Sequence, residues 1–461
     1  MSDKWQKKAE LTLFLLAGQV PLEMKGCKED LYMIGQHNVF KSYMDSSSLF
    51  KGDRDILRPS YVPEELPHRK EEIDDLASIM VTALRGNRPS NVLIFGKTGT
   101  GKTAVVRYLE REINRLKREN EKSDLNSEFG DYNIDEVEYV YINCEVVDTH
   151  YGVMKNIGNK FVEDWDEQIP FTGWPMEKVY ESLKEKIEEK RRVVVIILDE
   201  LDKLVTKNGD SVLYHLSKIN SELEKSKVSL IGISNNLKFT EFLDPRVKSR
   251  LGEEKMIFPP YNADQLKDIL ADRAEKAFEP DILGNDVISL CAALAAQEHG
   301  DARRALDLLR VSAEIAEREE EKAVDTNHVY KAKNKIEQDC VREAVNTLPT
   351  HSKLVLYSIL LMNENGKDKL TTGEVYSGYT QLSKKSGMDP LTQRRITDLI
   401  SELDMLGLIN ARVKSFGRRG RTKEIKSSVP KSDIIDLIEK DQSIESVRKL
   451  DITGPRQSTL I

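Results

Sequence analysis

Apolar and polar positions change period several times along the chain. Residues 91–95 (NVLIF), 139–143, 193–198 and 228–234 (VSLIGIS) are apolar runs of strand length. Helical spacing takes over between them. In 69–85, Ile73, Leu76, Ile79, Met80 and Leu84 fall on one face, and 104–118 reads as a second helix. Strands alternating with helices predict a parallel sheet covered by helices on both faces. After Pro260 the strand pattern stops, and 262–345 repeats at helical period, which predicts a small helical domain. A third unit follows over 346–440. Its helix at 391–405 aligns Ile396, Leu399, Ile400 and Leu403, with Leu406 just beyond. A strand at 408–413, a turn at 417–420 and a return strand at 423–429 complete it. The expected organisation is an arm over 1–50, an α/β unit over 51–260, a helical unit over 261–340, a helix-and-hairpin unit over 341–440 and a polar tail over 441–461. The charged stretch 117–138 reads as an exposed connection.

Composition narrows the class. A chain of 461 residues with 39% hydrophobic and 32% charged residues implies two to four globular, helix-rich domains. The four cysteines, Cys27, Cys144, Cys291 and Cys340, lack metal-ligand spacing and are too few for a disulfide scaffold, which favours a reducing, cytoplasmic setting. The apolar stretch 11–22 follows Glu10 and precedes no small-residue cleavage site, so it does not read as a signal peptide. No run reaches the ~18 apolar residues that span a bilayer, so no membrane partner is expected.

Gly96-Lys97-Thr98-Gly99-Thr100-Gly101-Lys102-Thr103 fits G-x-x-x-x-G-K-[ST], directly after a strand and before a helix. Glycines let the backbone wrap a phosphate chain and aim N–H groups inward, and the helix N-terminus favours anions. Lys102 is expected on the β- and γ-phosphates and Thr103 on Mg²⁺. The run 193–198 ends at Asp199-Glu200, two carboxylates at a strand's C-terminal edge. Asp199 is expected to hold Mg²⁺ through water and Glu200 to polarise the attacking water. Ser234-Asn235-Asn236 ends another strand. A side-chain amide there can position that water, with Asn235 preferred and Asn236 as competitor. No N-K-x-D guanine signature follows the acidic strand, so the expected cofactors are ATP/ADP and Mg²⁺.

Charge is uneven. Residues 341–440 hold seventeen Lys/Arg against twelve Asp/Glu, a net +5 within a chain of net -8. Residues 412–426 concentrate Arg412, Lys414, Arg418, Arg419, Arg421, Lys423 and Lys426 around one acid, Glu424. A helix followed by a basic hairpin reads as a winged helix. Thr392, Gln393, Arg394 and Arg395 would face base edges in the major groove; Lys414, Arg418, Arg419, Arg421 and Lys423 would lie on phosphate or in the minor groove. Gly417-Arg418-Arg419-Gly420-Arg421 also mimics the GRxGR element of superfamily-two helicases, but helices stand where their second RecA-like domain belongs.

The order of these motifs, with the phrases LRPSYVPEELPHR at 57–69, GKTGTGKT at 96–103, ILDELDKL at 197–204, LIGISNNLKFTEFLDPRVKSR at 230–250 and GDARRALDLL at 300–309, resembles the AAA+ replication initiators of archaea. That family is similar to the first subunit of the eukaryotic origin recognition complex and to the cell-division-cycle loader of the replicative helicase. The resemblance covers residues 51–430. It implies a P-loop AAA+ parallel-sheet domain, a helical lid and a C-terminal winged helix. It also implies that Arg303, with Arg304 as alternative, touches the γ-phosphate, and that Tyr61, Val62 and Pro63 sit by the adenine. Arg246 or Arg250 would reach a neighbouring subunit's nucleotide, and 148–175 corresponds to an insertion that contacts DNA. The implied function is an ATP-dependent initiator that binds origin double-stranded DNA, together with further copies, and helps recruit or load the replicative helicase, with slow, regulatory hydrolysis. An ATP-sensing transcription regulator, an initiator paralogue without origin duty, and a motor are the competing functions.

Overall fold

Five runs assemble into one all-parallel sheet: β1 (Val92–Gly96), β2 (Val137–Asn143), β3 (Val193–Asp199), β4 (Lys227–Ser234) and β5 (Glu254–Phe258). Their spatial order is β2-β3-β4-β1-β5. The computed structural model describes residues 48–122, 133–364, 367, 369–415, 421–429 and 431–447. The chain divides into two compact units, residues 1–326 and 327–461.

The first unit holds the sheet. β3 is buried at all seven positions, as a strand covered on both faces must be. Alternate side chains enter two cores. One face, with Val194, Ile196 and Leu198, packs on α3 (His150–Asn159), α4 (Met176–Glu188), α5 (Leu201–Asn208), α6 (Ser211–Lys218) and α7 (Pro245–Leu251). The other, with Val193, Val195 and Ile197, packs on α1 (Lys70–Leu84) and α2 (Lys102–Lys122). The sequence pattern leaves out β5. Of its five residues only Met256 and Phe258 are buried, because it is an edge strand with one exposed face. Helix α2 runs four residues past the expected end, into the charged stretch.

Three helices follow the sheet: α8 (Ala263–Ala277), α9 (Val287–Gln297) and α10 (Ala302–Arg318). A capping box between Asn262 and Gln265 starts α8. Asp301 caps α10, its Oδ1 accepting from the Arg303 and Arg304 backbone N–H groups. Residues at the end of the expected N-terminal arm are anchored here. Phe50 stacks on Phe278 at 5.0 Å between centroids, and Arg54 pairs with Glu317. Residues 1–47 lie outside the described residues.

The second unit opens with α11 (Thr326–Thr347) and continues α12 (Thr350–Glu364), β6 (Leu370–Thr371), α13 (Thr372–Lys385), α14 (Gln393–Met405), β7 (Ile409–Ser415), β8 (Arg421–Ser427) and α15 (Lys431–Glu439). Its antiparallel sheet has the order β6-β8-β7, with β7 and β8 paired from Ile409↔Ser427 to Ser415↔Arg421. Leu354, Tyr357, Tyr379, Ile396, Leu399, Ile400, Leu403 and Ile425 share one core. Three helices and a hairpin in this order form a winged helix. Among the described residues, no helix is long and apolar enough to cross a membrane.

Candidate functional site

Strand order decides what meets at the C-terminal edge of the sheet. β4 lies between β1 and β3, so Ser234-Asn235 sits between the glycine-rich loop leaving β1 and the carboxylates leaving β3. The loop turns through Gly99 (φ +68°) and Gly101 (φ +88°), conformations that glycine adopts without steric cost. Space is equally exacting. A Cβ at Gly99 would stand 1.7 Å from Asp301 Oδ1, and one at Gly101 would stand 2.7 Å from the Tyr261 hydroxyl. Helix α2 begins at Lys102, so its N-terminus points at the loop.

Lys102, Thr103, Asp199, Glu200 and Asn235 are hydrogen-bonded to one another or to the loop. Lys102 Nζ donates to the carbonyls of Gly96 (3.0 Å) and Lys97 (2.7 Å) and to Asn235 Oδ1 (2.8 Å). Burial pushes its pKa down to about 8, against the pull of Glu200 and Asp199. Thr103 Oγ1 donates to Asp199 Oδ2 at 2.8 Å. The Asn235 amide nitrogen donates to both oxygens of Glu200, at 2.7 and 2.6 Å. Burial raises the Glu200 carboxyl above the usual carboxylate range, opposed by the Asn235 bond. Glu200 also has φ +56°, left-handed backbone costing roughly 1–2 kcal/mol for a non-glycine residue. Asp202 is a structural partner: its Oδ1 accepts from Ser234 Oγ at 2.9 Å and from the Asn235 N–H at 3.3 Å, which fixes Asn235.

These groups line one cavity of about 510 Å³, within the usual size of small-ligand sites. Tyr61, Val62, Pro63, Thr98, Gly99, Thr100, Gly101, Lys102, Thr103, Asp199, Glu200, Asn235 and Arg303 all face it. Gly96 and Lys97 do not line it. Gly96 is buried at the end of β1 and Lys97 is exposed, and both contribute carbonyls to Lys102. The two candidate lid arginines separate as well. Arg303 faces the cavity, whereas Arg304 pairs with Glu298 at 2.8 Å. Asn236 is spent locally, its side-chain oxygen accepting from the Lys238 N–H.

The cavity fits a magnesium nucleotide. Its loop offers backbone and a buried cation for phosphates, and Thr103 with Asp199 offers one hydroxyl and one carboxylate. Mg²⁺ takes few protein ligands and completes its octahedron with phosphate and water. Among the described residues, no group of three or more His, Cys, Asp or Glu could hold a metal by itself.

Three family models match successive stretches of the chain. The family model for the CDC6 C-terminal winged helix domain matches residues 343–437, that for the Cdc6 AAA+ ATPase-type lid domain 267–334, and that for an AAA domain 85–238. The chain is 57% identical over 394 residues to "ORC1-type DNA replication protein 1" of Methanosarcina acetivorans, covering 85% of this chain and 91% of that one. It is 51% identical over 420 residues to the ORC1-type DNA replication protein of Thermococcus kodakarensis, covering 91% and 98%. The solved structure of the Aeropyrum pernix ORC1 protein in complex with DNA superposes with a TM-score of 0.74 at 44% identity, covering 87% of this chain and 99% of that chain. The chain belongs to the ORC1-type DNA replication proteins. It is thus a replication initiator of the AAA+ ATPase class, and that class implies nucleotide binding.

Sequence reasoning missed the three arginines that hold this site of the initiator together. Arg69, 2% exposed, donates to Thr100 O (3.0 Å), the Tyr261 hydroxyl (2.9 Å), Glu72 (2.6 Å) and Pro259 O (2.6 Å). Arg111 donates to the carbonyls of Val62 and Pro63. Arg273, from α8, donates to Ile56 O and Tyr61 O and stacks over the Tyr61 ring at 4.5 Å. Burial lowers the Arg273 pKa from its usual value. The one available signal was that Arg69 and Arg273 each carry a charge on a face where apolar residues recur; Arg111 lies off the apolar face of α2 and gave none.

In the second unit, Thr392, Gln393, Arg394 and Arg395 are all exposed at the start of α14, while Ile396, Leu399 and Ile400 anchor the same helix below. Thr392 caps the helix, accepting from the Arg395 N–H. Lys414 pairs with Glu424 at 2.9 Å, and Lys423 donates to Ser401 Oγ. Arg418 and Arg419 lie outside the described residues, and for Arg421 only the backbone, in β8, is described. In the insertion, Phe171 is 81% exposed with Lys155 Nζ over its ring, and Trp165 is 80% exposed. Trp174 instead packs against the sheet core.

Proposed function

We propose that this chain is an ATP-dependent initiator that binds origin double-stranded DNA and helps recruit or load the replicative helicase, hydrolysing ATP slowly. The observation that carries this reading is the pairing, in one chain, of a lid-closed phosphate cavity with a winged helix whose polar helix N-terminus is exposed. The proposed limits are 51–260 for the ATPase domain, 261–340 for the lid and 341–440 for the winged helix. A DNA-bound relative of 44% identity supports the DNA assignment.

In this reading Lys102 and Arg303 contact the phosphates, and Tyr61, Val62 and Pro63 flank the adenine. Thr103 and Asp199 hold Mg²⁺, which screens the phosphate charge, and Asn235 orients the water that Glu200 polarises. Slow turnover is supported by the Asn235 latch. Its amide donates to both Glu200 oxygens while its carbonyl accepts from Lys102, and the bond to Glu200 favours the carboxylate form and so makes it a weaker base. On DNA, Thr392, Gln393, Arg394 and Arg395 read base edges, and Lys414, Arg418, Arg419, Arg421 and Lys423 approach the backbone. Arg246 and Arg250, both exposed around α7, are the candidates for a neighbouring copy's nucleotide. The site of action is the cytoplasm, on the nucleoid.

The deciding experiment is capture of sheared genomic DNA by the purified full chain with ATP, followed by sequencing. One or a few intergenic peaks are expected. Peaks at many promoters would instead make it an ATP-sensing regulator, and even coverage would overturn origin recognition.

A further inference from the structure

Asp199 is held by more than the phosphate-loop motif. Its Oδ2 accepts two hydrogen bonds, from Thr103 Oγ1 at 2.8 Å and from the Tyr141 hydroxyl at 2.7 Å. Its Oδ1 accepts from the Glu200 N–H at 2.9 Å. A carboxylate has about four acceptor positions, so three of them are filled and the group has one orientation. It is also only 5% exposed, which leaves bulk water little part in orienting it.

The sheet explains why Tyr141 reaches this carboxylate. β2 pairs with β3 in parallel, with Tyr141 opposite Ile197 and Asn143 opposite Asp199. Strand side chains alternate between faces, so Tyr141, Ile197 and Asp199 point to the same side, and a tyrosine is long enough to span the two-residue offset. The ring is itself fixed. The Arg107 guanidinium lies 3.4 Å from its centroid and pairs with Glu110 at 2.9 Å. Arg107 follows Thr103 by four residues on α2, so both rise from the same face of that helix. One turn of α2 therefore constrains Asp199 twice, directly through Thr103 and through the Arg107-Tyr141 stack.

We infer that Tyr141 is a positioning residue for the magnesium site: its hydroxyl sets the direction of Asp199. This rests on the reading of the cavity as a Mg²⁺-nucleotide site. Without the hydroxyl, Oδ2 keeps a single donor, and that donor is the residue proposed to ligate the cation. Partners of this kind govern metal affinity by about 10- to 100-fold.

The test compares the full-length wild type with Tyr141→Phe, a change that keeps the ring and its stack and removes one oxygen. A fluorescent ADP analogue is titrated into each protein over a range of free Mg²⁺, beginning in excess EDTA. The quantity read is the free Mg²⁺ that gives half of each protein's own tightening. Tyr141→Phe is expected to raise it about tenfold, with full tightening regained at saturating Mg²⁺. Coincident curves for two proteins that both tighten would overturn the role of Tyr141 and leave the site assignment standing. A wild type that binds nucleotide without any response to Mg²⁺ would overturn both. Equal melting temperatures show that the shift does not come from a damaged fold.

Discussion

The nucleotide cavity and the winged-helix surface both gather cations for phosphate, yet they hold them differently. In the cavity Lys102 is 6% exposed and satisfied by three oxygens, and Glu200, Asn235, Thr103 and Asp199 are bonded to one another. On the winged helix Thr392, Gln393, Arg394 and Arg395 are exposed, and ion pairs there, such as Arg395–Glu402 and Lys414–Glu424, lie at the surface. A small ligand makes few contacts, so each must be strong, and strength comes from desolvated groups oriented beforehand. A duplex presents many charges, and binding to it gains mainly from counterion release, which needs no fixed side-chain geometry. Point changes should therefore act steeply in the first region and gradually in the second.

The largest expected effect lies at Glu200. Glu200→Gln should retain ATP and slow its cleavage by about 10²- to 10⁴-fold, the usual worth of a general base, in a single-turnover phosphate-release assay. Cleavage at the wild-type rate would remove Glu200 from the reaction. Next comes Lys102→Ala, expected to weaken nucleotide binding about 100-fold by calorimetry, in keeping with ~1.5–3 kcal/mol for a bond to a charged group. If duplex affinity without nucleotide fell as far in the same variant, the contrast between the regions would collapse. A gentler response should follow the joint change Arg418→Ala, Arg419→Ala and Arg421→Ala. All duplexes should weaken, and the slope of log K against log salt should flatten by about 0.9 for each lost phosphate contact. Six such contacts would cost the intact protein roughly 10³-fold between 50 and 200 mM salt, so a shallow wild-type slope would also count against the wing. The smallest effect belongs to a matched pair. Arg303→Ala should reduce the preference for ATP over ADP, whereas Arg304→Ala breaks only a part-exposed ion pair and should cost at most about 1 kcal/mol in denaturant melts. Equal nucleotide phenotypes would erase the distinction drawn from their contacts.

The parts legible in the sequence were those written locally. GKTGTGKT needs eight consecutive residues, and β3 announces itself by six apolar positions running into two acids. The winged helix was readable for the same reason, because its helix and hairpin are neighbours in the chain. β5 was not, since an edge strand with one wet face carries only two buried residues among charges. Arg69, Arg111 and Arg273 were missed for a different reason. Each acts on backbone carbonyls, in bonds spanning up to 217 positions, and a carbonyl leaves no mark in the sequence. Asn235 was found from its place at a strand end, but its two partners, 133 and 35 positions away, follow only from strand order.

The contact between Asp301 and Gly99 has a thermodynamic consequence. Ala302 N–H donates to Gly99 O, Arg69 bonds Thr100 O together with the Tyr261 hydroxyl, and Tyr261 N–H donates to Gly300 O. The loop that wraps phosphate and the first turn of α10 are thus two sides of a single joint. Free-energy coupling is reciprocal. A macromolecule whose grip on the lid tightens when nucleotide is bound must raise the affinity for nucleotide by the same factor. Occupancy of the cavity at a given nucleotide concentration is then set partly by whatever holds the lid from outside.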